Sequence, residues 1–134
     1  MTSGTGQNDA AAQHTLGEII AGGVTIHLLD TALAYGDGAT EVGNKSVNSE
    51  AVAEADLTVN AATGFDGTAT ITNDNDVVFD VEANTETVVE VVLQNDTATD
   101  RVVLADEINN PNLDENDTYT IEAGTTLYEF GNPT

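Results

Sequence analysis

The chain has no cysteine, which excludes disulfides and thiolate metal sites, and it has no tryptophan. Basic side chains are nearly as scarce. Lys45 and Arg101 stand alone against 24 aspartates and glutamates, giving a formal charge of −22. With no basic patch to release phosphate counterions, neither DNA nor RNA is expected as a partner, nor an anionic membrane surface. No apolar run reaches membrane-spanning length. The segment Met1 to Asp9 has neither a basic start nor an apolar stretch, so no secretory signal is read there and synthesis in the cytoplasm without export is expected. Serine is confined to Ser3, Ser46 and Ser49 in polar surroundings. Neither a nucleophile elbow, a phosphate-cradling glycine loop nor a nucleotide fingerprint occurs. An enzyme is therefore not expected.

What remains is acid and small aliphatic residues. A charge of −22 on 134 residues opposes compaction in dilute buffer. Molar salt shrinks the Debye length to about 3 Å, screens the repulsion and leaves the carboxylates as a hydrated coat. Intrinsic disorder would place acids in blocks with few aliphatics between them. Here 40% of residues are hydrophobic and the acids alternate singly with Val, Ile and Leu, the pattern of a folded protein adapted to near-saturating salt. Alanine and valine replace larger apolar residues, which suits a core that salt itself strengthens.

Residues 1–10 read as a flexible arm and 11–134 as a single domain. The spacing predicts one short helix over 11–21, with Leu16, Ile19 and Ile20 on one side and Gly22–Gly23 as its stop. From Val24 the period becomes two. VTIHLL sets Val24, Ile26 and Leu28 on one face, and a turn-rich stretch follows from Tyr35 to Asn48. Ala51, Ala53, Ala55, Leu57 and Val59 alternate with polar neighbours as one half-buried strand. Asn73–Asn75 then reverses the chain between strands around Ile71 and Phe79. TVVEVVL (87–93) reads as a central strand covered on both faces, and RVVLA (101–105) follows a polar turn. A long loop spans 109–117, and two closing strands around Ile121 and Leu127–Phe130 flank a turn at Gly124. Seven or eight short strands and one helix predict a mainly β, antiparallel β-sandwich or jelly-roll-like domain.

Few residue groups suggest binding chemistry. His14 and His27 are the only histidines, too few and too separated for zinc. The runs Asn73–Asp76 and Asp114–Asp117 resemble calcium loops but lack the glycine and the distal glutamate such loops use. Loosely bound cations are expected, and no specific cofactor. Asn44, Asn95 and Asn116 begin formal glycosylation sequons in predicted loops.

The order of the elements resembles a family of small tailed-phage structural proteins, the tail-fibre and head-fibre type. The resemblance is carried by LGEIIAGGVTIHLLDTAL (16–33), GDGATEVG (36–43), ADLTVNAATGFDGTATI (55–71) and the closing TIEAGTTLYEF (120–130). The family's mid-chain bulky aromatics are missing, with Phe65 and Phe79 nearest. The resemblance implies a non-enzymatic, homo-oligomeric β-sandwich in a virion. Joined to the acidic bias, it implies a haloarchaeal tailed virus, in which the chain would serve as capsid decoration, turret or tail fibre. Trimer or pentamer are the expected assemblies, with other virion proteins as further partners. Leu16, Ile19 and Ile20, with Leu127, Tyr128 and Phe130, are the expected interface residues, because their terminal position suggests exposure; closure of the monomer core is the competing reading. A cellular surface or carbohydrate-binding sandwich is the rival function, and would need exposed aromatics for stacking.

Overall fold

The computed structural model describes residues 9–60, 68–80, 88–104 and 118–131. The fold is mainly β and sandwich-like. Every pairing among the described strands is antiparallel. Helix α1 (Asp9–Ile20) is followed by β1 (Val24–Leu29), helix α2 (Ala39–Lys45) and β2 (Ser46–Val52). A 3-10 turn (Glu54–Asp56) leads to β3 (Leu57–Asn60), β4 (Thr68–Asn73), β5 (Val77–Asp80), β6 (Glu90–Asn95), β7 (Val102–Leu104), β8 (Thr118–Ile121) and β9 (Thr126–Gly131). The described strands form three sheets, ordered β2-β1-β6-β7, β3-β4-β9 and β5-β8.

The second half of the chain is wound as a ribbon folded back on itself. β6 and β7 form its tip, β5 pairs with β8 below it, and β4 with β9 below that. This nested pairing is the reason the closing strands β8 and β9 do not pair with each other. Asn73–Asp76 likewise carries the chain from one sheet to the next and makes no hairpin.

One core gathers Leu16, Ile19 and Ile20 of α1 with Val24, Ile26 and Leu28 of β1, Ile71, Phe79, Leu93 and Leu127. Helix α1 ends because Gly22 and Gly23 take φ of +84° and +95°, a region that side-chain-bearing residues avoid. A Cβ on Gly22 would also strike Thr97. Sheet β2-β1-β6-β7 is covered on its other face as well, where Leu29 and Val92 meet Val42 of α2. Val91, Val92 and Leu93 are therefore all buried, as the apolar run of β6 requires.

Two asparagines act as bolts at strand ends. Asn95, 1% exposed, donates from Nδ2 to the carbonyls of Ile19 (2.8 Å) and Ala21 (2.9 Å), satisfying the C-terminal end of α1. Its Oδ1 accepts the N–H groups of Thr97 and Ala98. Asn73, also 1% exposed, donates to the carbonyls of Asn75, Ile121 and Glu122, spanning the gap between the two ladders of the ribbon. An aspartate follows each bolt, and each accepts a hydroxyl from the neighbouring strand. Asp96 takes Thr25 Oγ1 at 2.6 Å and Asp74 takes Thr58 Oγ1 at 2.5 Å. The same Asn-Asp device thus locks the β1–β6 pair and the β3–β4 pair.

Four expectations need correction. The helix begins at Asp9, two residues before its expected start. The turn-rich stretch contains a second helix, α2, started by Gly38 N–H donating to Glu41 Oε2 at 3.1 Å. The single strand over 51–59 is two strands separated by a 3-10 turn. Ala51, Ala53 and Ala55 are exposed while Val52 and Leu57 are buried, because alanine has too little surface to set the register against larger residues. The fourth concerns the expected interface. Leu16, Ile19, Ile20 and Leu127 lie in the core at 0 to 8% exposure, so the terminal apolar clusters close the monomer. Leu127 reaches inward because β9 bulges opposite Ile71/Thr72. Tyr128 and Phe130 remain half-buried on β9, at the edge of its sheet. The loop over 109–117, with Asp114–Asp117 and the Asn116 sequon, lies outside the described residues, as does Phe65.

Candidate functional site

The described surface carries one large aromatic in full view. Tyr35 is 108% exposed, more than in an extended peptide, while the only other exposed large apolar residues among those described are Val78 and Val89. The signal in the sequence was Tyr35-Gly36-Asp37-Gly38: an aromatic among glycines in a turn has no strand to place it in a core. Beside the ring opens a recess of about 350 Å³, lined by Leu33, Ala34, Gly36, Asp37 and Val102. Leu33 and Val102 pack there on the small core beneath α2.

Side chains from four parts of the chain hold this loop. Its backbone N–H groups donate to carboxylates: Leu33 to Glu90 Oε1 (2.9 Å), Ala34 to Asp37 Oδ2 (2.7 Å), Gly38 to Glu41 Oε2 (3.1 Å) and Ala39 to Asp100 Oδ1 (2.9 Å). Lys45 Nζ donates to Asp37 Oδ2 and to the carbonyl of Ala32, both at 3.0 Å. The Ala34 N–H, with Lys45 beside it, holds the Asp37 carboxyl below the usual carboxylate range. One of the chain's two basic side chains is thus committed to bracing Tyr35. The other, Arg101, donates to the Glu18 carbonyl at 2.8 Å and lies 3.5 Å from that residue's carboxylate, pinning the end of α1. Lys45→Met is expected to speed amide exchange at Ala34 and Asp37 roughly tenfold while α1 and β6 keep their protection, because the loop loses its only cation. Unchanged exchange at these two amides would show that the carboxylates hold the loop unaided.

The two histidines take unrelated positions. His14 is exposed on α1, 4.0 Å from Glu18. His27 is half-buried on β1, bonded through Nδ1 to Ser46 Oγ and through Nε2 to Gln94 Oε1, both at 2.8 Å. Burial lowers its pKa below the usual 6.5, outweighing the Gln94 bond and the charge of Asp96. A depressed imidazole pKa means the folded state resists protonation. Stability is full above pH 6.5 and falls as the pH drops toward the folded value. Melting temperature in molar KCl should therefore decline on acidification below pH 6.5, and His27→Gln should remove that decline. An unaltered slope in the variant would assign the titration elsewhere.

The run Asn73–Asp76 serves as a strand lock. Asp76 Oδ1 accepts the Ala123 N–H at 2.8 Å, alongside the Asn73 and Asp74 contacts given above. A second cleft of about 140 Å³ runs past Glu50, Asp56 and Asp76. Among the described residues, no group of three or more carboxylates or imidazoles is placed to hold a metal ion. Asn95 is committed to its bolt and closed to glycosylation, whereas Asn44 is exposed on α2. Among the described residues no helix is long and apolar enough to cross a membrane. Comparison of the chain with protein-family models, with curated proteins and with solved structures finds no match.

Proposed function

We propose that the chain is a structural part of a haloarchaeal tailed-virus particle, a non-catalytic β domain that self-assembles in high salt and attaches to the capsid, as decoration or turret, or to the tail, as a fibre. The observation that carries this reading is the commitment of both basic side chains, Lys45 and Arg101, to contacts within the chain, in a protein of formal charge −22. Such a surface offers its neighbours carboxylates and apolar side chains. Copies can approach only where salt screens the repulsion and strengthens apolar burial. The element order supports the same reading: a helix, a glycine turn, a strand and a glycine-containing loop follow one another as in the tail-fibre and head-fibre family that the sequence resembles.

The rival is a cellular surface or carbohydrate-binding module, favoured by the exposed ring of Tyr35. A sugar platform ordinarily adds further aromatics or a groove of converging polar groups. Of the described aromatics, Phe79 is fully buried and stacks on Tyr119, with ring centroids 5.8 Å apart. Light scattering in molar KCl, repeated as salt is lowered, tests the proposal. A discrete trimer or pentamer that dissociates with falling salt supports it, and a monomer at every salt concentration overturns it in favour of a module that docks singly.

A further inference from the structure

We infer that Tyr35 and its recess form a docking surface for an arginine side chain presented by a different protein, on the reading of this chain as a part that attaches to a larger assembly. A single exposed apolar residue is ordinarily without consequence. Here the loop that displays it is fixed by four carboxylate-to-amide bonds and a lysine brace, so the backbone that presents the ring is ordered before a partner arrives. Tyrosine on a rigid loop brings a large contact area with few rotatable bonds.

Charge complementarity decides the partner. Asp37, Glu41, Glu90 and Asp100 surround the loop against the single cation Lys45, so the local field favours a positive group. The tyrosine face attracts a cation as well. A second copy of this chain is a poor donor, because its Lys45 and Arg101 are both engaged. High salt then separates arginine from lysine. The lysine ammonium is a strongly hydrated point charge, and molar salt screens it beyond about 3 Å. The guanidinium is planar, weakly hydrated and stacks at contact distance on an aromatic face, and its methylene stem suits the apolar lining of Leu33, Ala34 and Val102.

The probe is a blocked Gly-Arg-Gly peptide titrated in molar KCl against the same peptide carrying citrulline, the neutral isostere, with amide chemical shifts as the readout. Shifts confined to residues 33–38, with the arginine peptide bound about tenfold more tightly than the citrulline one, support the inference. Tyr35→Leu should abolish that preference and Tyr35→Phe retain it. Equal binding of both peptides, or shifts spread over the acidic surface, would overturn the inference and leave the assembly proposal standing. Loss of the oligomer in Tyr35→Leu would also overturn it, by assigning the recess to a second copy. Failure of the proposed function registers separately, as a monomeric wild-type protein.

Discussion

Asn95→Asp is expected to cost about 4 kcal/mol or more, a large share of the roughly 5–15 kcal/mol that holds a domain of this kind together. The substitution changes one NH₂ to one oxygen, yet it reverses the chemistry of the bolt. In the native chain Nδ2 feeds the carbonyls of Ile19 and Ala21, which the end of α1 leaves without helical partners. A carboxylate there loses both donors, sets a buried negative charge against two carbonyl oxygens, and stands at the negative end of the helix dipole. The penalty should shrink on acidification, because the site raises the carboxyl pKa and the neutral acid can again donate. Asn95→Ala should cost less, about 3 kcal/mol, through unpaired backbone groups alone. Urea unfolding in molar KCl measures all of this, and an aspartate variant within about 1 kcal/mol of wild type would remove Asn95 from the role given it.

Lowering KCl from molar to about 0.01 M should unfold the domain or lower its melting temperature by roughly 20 °C. The Debye length grows over that range from about 3 to about 30 Å, past the roughly 14 Å radius of gyration of a folded chain of this size. Each of the 24 carboxylates then repels all the others, with two cations in compensation. Such a shift corresponds to about 5 kcal/mol. Sucrose separates the two actions of salt, since it strengthens apolar burial without screening charge. If sucrose at low ionic strength restores the melting temperature in full, core burial is what salt supplies and repulsion is secondary. A melting temperature independent of salt would remove the halophilic reading.

Some elements were legible because one local rule decided them. In α1, Leu16, Ile19 and Ile20 recur at helical spacing, and Gly22–Gly23 supplies the left-handed exit that other residues resist. In β1, large residues at every second position left a single choice of inner face. The 51–59 segment misled because its alternation rested on alanine. Val52 and Leu57, five residues apart, took the interior, and no unbroken strand can point both inward. Helix α2 was hidden by Gly38 and Gly43, residues of poor helical propensity, and is held by burial of Val42 under the sheet and by Asp100 at its start. The exposure expected of Leu16 and Leu127 failed for a related reason: nearness to a terminus in sequence says nothing about depth in a fold whose last strand pairs with β4.

The sequence by itself determined the β class, the leading helix and its stop, and the covered strand β6, because each follows from spacing within a dozen residues. Only the tertiary structure decided that Asn73 and Asn95 are buried bolts among many surface asparagines, that both cations are committed, and that Tyr35 stands alone in solvent. Those are properties of partners brought from distant positions, such as Glu90 to Leu33 or Asn95 to Ile19, and no local pattern encodes which segments will meet.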